Sequence, residues 1–504
     1  MTDGLDGVYG GSLALLTDLY QLTMACGYWK AGHSEREAVF HLTYRRPPFG
    51  GGYAIAAGIA PALAYLKRFS FTEEDVAFLA TLRDNEDKPL FPDGFLHYLR
   101  DLKFSCTVDA VPEGALVFPH EPILRVRGPI LQAQLVETPL LTLVNFQTLV
   151  ATKAARIVQA ARGETVVEFG LRRAQGIDGG IGASRAAYIG GCAATSNVLA
   201  AKLLGIPVKG THAHSWVMFH GDELAAFREY AATMPGNCTF LVDTYDTLDG
   251  VRNAIIVGRE LRAKGHELAG IRLDSGDLAF LSIEARRLLD EGGFPKAKIV
   301  ASNDLDERLI TDIQEQGARI DTWGVGTKLV TAFDQPALGG VYKLGACRDD
   351  AGRWHEAIKL SEQPIKISNP GVLQVKRLRK GGELVGDVIF DSEHGCASPC
   401  AIHDIEHPLL APVMPDHDAE EELLTPIMEH GRALALPGLD VARARAAADL
   451  AAISPRTKRF NNPQPYPVGL DGHVHRRKRE LIAEARAKHG ANYPAPPKHG
   501  GSDA

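Results

Sequence analysis

From residue 165 onward the chain repeats one grammar: a short β-branched run ending in polar residues, a helix-length amphipathic segment, a glycine, then another such run. Six runs obey it, at 166–173, 208–214, 240–246, 268–275, 298–304 and 322–327. Their spacing of roughly 25 to 40 residues is near the length of one βαβ step. Asp277 and Asp304 stand where helix N-caps belong, and Gly205, Gly265, Gly292 and Gly317 where a left-handed residue ends a helix. Between Asp277 and Gly292 the residues Leu278, Leu281, Ile283, Ala285, Leu288 and Leu289 fall mostly on one helical side. The pattern predicts an α/β fold in which six parallel strands and their covering helices form an irregular α/β barrel; an open doubly wound sheet has the same grammar.

The flanks read differently. Residues 1–137 combine a helix over Asp18–Lys30, a glycine-rich bend at Gly50–Gly52 and alternating strands such as 113–118, a separate α+β unit. A long apolar helix, Thr138–Arg162, joins it to the barrel, so the expected organisation is 1–137, 138–345 and an irregular 346–504. Strands near 354–360 and 372–390, a helix over 439–452 and a last helix from Arg476 to Lys488 are expected in that third region, with a mobile tail from Tyr493.

Charge excludes some functions. With 55 Lys and Arg against 62 Asp and Glu, the net charge of -7 offers no global field for nucleic acid or anionic lipid, so any phosphate site must be local. The basic run His475–Arg479 is followed by Glu480 and Glu484 without interleaved aromatics, and reads as a solvated helix face. The N-terminus lacks a signal pattern and no apolar run reaches the length of a spanning helix, so the expected location is cytoplasmic. Seven scattered cysteines fit reduced thiols; the close pair Cys396 and Cys400 lacks the two further ligands a zinc site would need.

In parallel α/β architectures ligands sit at the carboxyl ends of the strands, so the polar residues that end each run share one neighbourhood. These are Arg172, Arg173, Thr211, His212, His214, Asp243, Arg272, Asp274, Ser275, Asp277, Asn303, Asp304, Gly324, Gly326 and Thr327. Cations, carboxylates, a histidine and bare backbone turns suit a sugar phosphate reacting at an electrophilic carbon. Gly324–Thr327 leaves amides free to approach phosphate. Asp274 suits ribose hydroxyls or a magnesium ion bridging to pyrophosphate; Asp277 reads as a helix cap. On an extended strand His212 and His214 point the same way. That pair fits either a metal-dependent barrel hydrolase or a single nucleophilic or acid/base histidine. A non-catalytic nucleotide sensor is a further reading.

Six blocks, Leu16-Thr-Asp-Leu-Tyr-Gln-Leu-Thr-Met24, Glu168-Phe-Gly-Leu-Arg-Arg-Ala-Gln-Gly176, Gly210-Thr-His-Ala-His-Ser215, Leu241-Val-Asp-Thr-Tyr-Asp246, Arg272-Leu-Asp-Ser-Gly-Asp277 and Gly324-Val-Gly-Thr327, resemble those of nicotinate phosphoribosyltransferases in the same order. Gly339-Gly-Val-Tyr-Lys-Leu344 adds a seventh, and Asn462-Pro-Gln-Pro-Tyr-Pro-Val468 is a looser likeness. The resemblance implies a type II phosphoribosyltransferase fold, a homodimer with shared active sites, and the substrates nicotinate, phosphoribosyl pyrophosphate and ATP, with Mg2+ carried by pyrophosphate or nucleotide. It implies that Tyr20 comes from the partner subunit to stack on the pyridine ring, and that Arg272 and Thr211 bind nicotinate. His214 matches the histidine that ATP phosphorylates, and Asp243 is similar to the carboxylate that orients it. Asp274 would hold the ribose, with Arg172, Asn303 and Gly324–Thr327 on phosphates. Nicotinamide phosphoribosyltransferases share much of this pattern but carry a selective aspartate where this chain has Ala194-Thr195-Ser196-Asn197.

Overall fold

The structure is a computed structural model that describes residues 11–396, 398–407 and 409–488. The tail expected from Tyr493 lies outside the described residues.

Six parallel strands form the sheet that carries the site: β1 (Thr165–Glu168), β2 (Ala194–Thr195), β3 (Thr239–Leu241), β4 (Gly270–Leu273), β5 (Lys298–Ser302) and β6 (Thr322–Val325). They lie in the order β2-β1-β6-β5-β4-β3. Five of the six expected runs supply one of these strands. The run 208–214 does not, and the short β2, which the sequence pattern passed over, takes its place.

The reason is local. Pro207 has no N–H to give, and the segment makes one parallel bridge, Thr195 to Val208, before turning away. His214 then opens a helix, His214–His220. The same segment bridges the gap between the sheet's two edges. On one side Lys209 donates its N–H to the Thr195 carbonyl at 3.0 Å. On the other, the buried His212 ring accepts the N–H of Leu241 on β3 through Nε2, at 3.2 Å. A side chain thus stands in for a seventh strand's backbone, which is how the barrel comes to be irregular.

Most helix punctuation falls as expected. Asp277 caps the helix Leu278–Glu291 by accepting the N–H of Phe280. Two positions are corrected: Asp306, not Asp304, caps the next helix by accepting from Arg308 and Leu309, and the left-handed residue after Glu291 is Gly293 (φ 89°), while Gly292 is right-handed.

The helix Glu137–Ala160 runs buried through the molecule. Its Thr152 hydroxyl accepts the N–H of Ile55 at 2.9 Å, and its Thr148 hydroxyl that of Ala57 at 3.2 Å, which removes two orphan donors from the glycine-rich bend region. A seven-stranded sheet packs beside it, built from Glu37–Tyr44, Thr107–Ala110 and Leu124–Pro129 together with Gly340–Arg348, Trp354–Glu356, Thr425–Glu429 and Arg432–Ala433. Late strands therefore complete an early sheet. The hairpin Leu373–Lys380 and Glu383–Asp391 belongs to a further four-stranded sheet.

The last helix, Gly472–Lys488, is not the solvated face expected of its basic run. His475 and Lys478 are buried, Lys478 donates to Asn369 at 2.9 Å, and Arg477 pairs with Glu356, Glu480 and Glu484. Among the described residues no helix is long and apolar enough to cross a membrane.

Candidate active site

At the carboxyl ends of β3, β4 and β5 the side chains converge around Arg272, the third residue of β4. Its Nε donates to Ser302 Oγ at 2.8 Å, Nη1 to Thr211 Oγ1 at 3.0 Å and Nη2 to Asp274 Oδ1 at 2.8 Å. Its guanidinium also lies 5.6 Å from the centre of the Phe169 ring. Three of the five N–H groups are thus committed to protein, and two remain for a ligand. Gly324 makes room for this stack, because a Cβ there would sit 2.6 Å from the Phe169 ring.

Asp274 is half-buried. Burial pushes its carboxyl upward, but the hydrogen bond from Ser302 and the Arg272 charge outweigh that and hold it below the usual aspartate range. Its backbone N–H is accepted by Asp243 Oδ2 at 2.9 Å, and the Ser275 hydroxyl donates to the same oxygen at 2.6 Å. The other Asp243 oxygen, Oδ1, is buried without a hydrogen-bond partner.

His214, 39% exposed at its side chain, opens onto this group from the first turn of its helix. Nδ1 meets Thr244 Oγ1 at 3.2 Å. Nε2 lies 3.7 Å from Asp274 Oδ2 and 3.9 Å from Asp243 Oδ1, beyond hydrogen-bond reach of either carboxylate. His212 turns the other way into the core among Phe227, Tyr230 and Phe240. The two histidines therefore do not form a same-side metal pair, and burial lowers the His212 imidazole below its ordinary value. Among the described residues no three His, Cys, Asp or Glu side chains are placed to hold a metal ion.

Most of the remaining expected residues lie at or just after the carboxyl ends of neighbouring strands. Arg172 is exposed on a one-turn 3-10 helix after β1. Asn303 follows β5, exposed and at φ 103°, a conformation L residues rarely adopt. Gly324 lies in β6, and Gly326 and Thr327 form the turn into a short helix. Tyr20 is elsewhere: it sits half-exposed on the helix Leu19–Lys30 of the N-terminal region, accepting a hydrogen bond from Gln21 at 3.3 Å.

Several residues here escaped the sequence reading. Ser302 and Thr244 lie inside two of the expected runs, next to Asn303 and Asp243, and carry no charge that would single them out. Glu168, fully buried, accepts from the hydroxyls of Ser184 at 2.9 Å and Thr195 at 2.5 Å; a carboxylate in an apolar strand was the available signal. A cationic groove elsewhere in the molecule is lined by Arg45, Lys343 and Lys366. Burial, together with the neighbouring charges of Lys359 and Arg45, lowers the Lys343 ammonium despite the opposing pull of Glu137, and Gln21 links Glu137 to the Tyr20 helix.

A parallel α/β barrel with cation, carboxylate and histidine at its strand ends defines an enzyme that acts on a small anionic substrate. Three successive segments match domain families of one enzyme: the N-terminal domain of nicotinate phosphoribosyltransferase over residues 15–145, the nicotinate phosphoribosyltransferase family over 165–363, and its C-terminal domain over 374–478. The nicotinate phosphoribosyltransferase of Bacillus subtilis is 50% identical over 373 residues, 74% of each chain. That of Homo sapiens is 36% identical over 529 aligned positions, covering 90% of this chain and 94% of the human one. The crystal structure of human nicotinic acid phosphoribosyltransferase superposes with a TM-score of 0.80 at 32% identity, covering 92% of this chain and 99% of that one. The chain belongs to the nicotinate phosphoribosyltransferase family.

Proposed function

We propose that this chain joins nicotinate to phosphoribosyl pyrophosphate at the barrel mouth, coupled to ATP through His214, as a step of NAD salvage. The observation that carries the reading is Arg272: a guanidinium already fixed by three protein partners and keeping two N–H groups for a carboxylate. A neutral amide would not reward that site equally. The segment Ala194–Asn197, where amide-selective relatives carry an aspartate, holds none here, and its Thr195 and Asn197 are tied to Glu168 and Ser184.

The chemistry follows from what each group can do. The pyridine nitrogen attacks ribose C1, and the C1–O bond breaks with its electrons leaving on pyrophosphate. Asp274, held ionised, would face the positive charge that develops on the sugar and accept from its hydroxyls. Arg172, Asn303 and the Gly324–Thr327 turn would hold phosphate oxygens. Magnesium would arrive as the complex of pyrophosphate or nucleotide and neutralise part of that charge. Thr244 occupies His214 Nδ1, which leaves Nε2 to take the γ-phosphoryl group of ATP, releasing ADP; water later returns it as phosphate.

Two copies would share each site. Leu19, Tyr20 and Met24 expose apolar surface on one helix, and Val198, Met218 and Phe219 do so around the barrel mouth. A two-fold pairing of these faces would bring Tyr20 of one copy over the Arg272 of the other.

The test offers the purified protein phosphoribosyl pyrophosphate and Mg2+ with nicotinate or nicotinamide, with and without ATP. Nicotinate mononucleotide formed with ADP is the expected product pair. Turnover of nicotinamide instead, or of neither base, would overturn the reading.

A further inference from the structure

Ser302 is the last residue of β5 and only 3% exposed. Its hydroxyl accepts the Nε–H of Arg272 at 2.8 Å and donates to Asp274 Oδ1. Arg272 Nη2 reaches that same carboxylate oxygen at 2.8 Å, so the three side chains close a ring. On the far side of the guanidinium Thr211 takes Nη1 at 3.0 Å. The strand partner of Ser302 is Gly324, whose missing side chain leaves the Phe169 ring its place beside Arg272.

We propose that Ser302 is a positioning residue that sets the preference of this site for a carboxylate-bearing base by holding Arg272 off a full bidentate pairing with Asp274. The inference rests on the reading of the barrel mouth as a nicotinate site. Its logic is one of donors and acceptors. Arg272 and Asp274 are neighbours in the chain and would, left alone, pair through two parallel N–H···O bonds, the preferred geometry of arginine with carboxylate. Ser302 intercepts that pairing. It offers an acceptor to Nε and a donor to Oδ1, and a hydroxyl is a small group able to do both at once. The guanidinium is thereby fixed with a single contact to Asp274, and its two uncommitted N–H groups stay available to substrate.

Removing the hydroxyl strands the Nε–H in a buried position, and its nearest remedy is the carboxylate beside it. Arg272 then swings toward Asp274, and the cation is withdrawn from the base carboxylate. Ground-state recognition of the base should suffer more than the chemical step.

The experiment compares wild type with Ser302→Ala and Ser302→Cys, the latter keeping volume while losing the strong donor. Steady-state rates are measured with nicotinate and with nicotinamide at saturating phosphoribosyl pyrophosphate and ATP, alongside thermal melts. KM for nicotinate should rise about tenfold with kcat within about threefold, and the nicotinate-to-nicotinamide ratio of kcat/KM should fall by a similar factor. Wild type inactive with nicotinate would overturn the functional reading itself. Active wild type with folded variants whose KM and base preference are unchanged would overturn the role of Ser302, as would a fall in kcat alone.

Discussion

Asp243 does not hydrogen-bond His214. Its Oδ1 lies 3.9 Å from His214 Nε2, while Oδ2 is committed to the Asp274 N–H and the Ser275 hydroxyl. The residue that touches the imidazole is Thr244, through Nδ1 at 3.2 Å. Asp243 therefore bears on His214 through charge at short range, and Thr244 through orientation. Removing either should act on the ATP-coupled step before the transfer step. His214→Ala should abolish ADP formation yet leave nicotinate transfer without ATP measurable. Thr244→Val should slow phosphorylation roughly ten- to a hundredfold, the usual scale for losing an orienting partner. Chemical trapping of the acid-labile phosphohistidine in single turnover is the check, and a Thr244→Val enzyme phosphorylated at the normal rate would refute the assignment.

The space beside the guanidinium gives a second prediction. A methyl group at Gly324 would lie 2.6 Å from Phe169 Cδ2, so Gly324→Ala must displace the ring that flanks Arg272. Gly324 is not in the left-handed region, so the cost is steric and local. KM for nicotinate should rise about tenfold while the melting temperature falls by only a few degrees, consistent with about 1–3 kcal/mol of overpacking. Equal KM values in the two proteins would show that the Phe169 ring does not shape the base pocket.

Stability should fail first at the joint between the N-terminal and C-terminal regions. Arg377 is fully buried, paired with Asp387 at 2.6 Å and Asp449 at 3.2 Å, and donates to the Leu116 carbonyl at 2.7 Å. Arg377→Met leaves the buried Asp387 without its cation, while Asp449 keeps Arg379 at 3.1 Å, and the expected cost is about 3–5 kcal/mol. Denaturant unfolding measures it. A loss below about 1 kcal/mol would mean that Asp387 finds a proton or water instead.

How much of this was legible in the sequence depends on the kind of signal. Strand-end residues separated by tens of positions, such as Thr211, Arg272 and Asp274, could be placed together because parallel strands bring their carboxyl ends to one rim, and the structure joins these three by hydrogen bonds. The expected His212–His214 pair failed because period two holds only inside a strand, and Val208 marks a single bridge rather than a strand. Ser302 was missed for a different reason: a serine in an apolar run looks like filler until its partners are known. The seven-stranded sheet was illegible because strands 340–348 and 425–429 pair with strands that precede them by hundreds of residues, and short-range pattern carries no information about such pairing.

Two buried histidines make acid stability the last prediction. His41 Nε2 accepts the N–H of Leu373 at 3.0 Å, as His212 Nε2 accepts that of Leu241 at 3.2 Å. Each is therefore neutral in the fold and would lose its acceptor on protonation. Burial, aided by the nearby Arg125 charge, lowers His41 to about 3; burial also lowers His212. A histidine whose folded value lies below its unfolded value takes up a proton on unfolding. Its stabilisation is complete above about pH 6.5 and is lost as pH falls below that, continuing down to the folded value. For His41 the loss between pH 7.5 and pH 5 is about 2 kcal/mol, from a gap that opens by one unit of pH per 1.36 kcal/mol. His41→Gln keeps an acceptor for Leu373 without a titrating group, so its unfolding free energy should fall less over the same interval, by about that amount. Parallel pH slopes for wild type and variant would show that the His41 ring is protonated without cost, and that the Leu373 N–H is satisfied some other way.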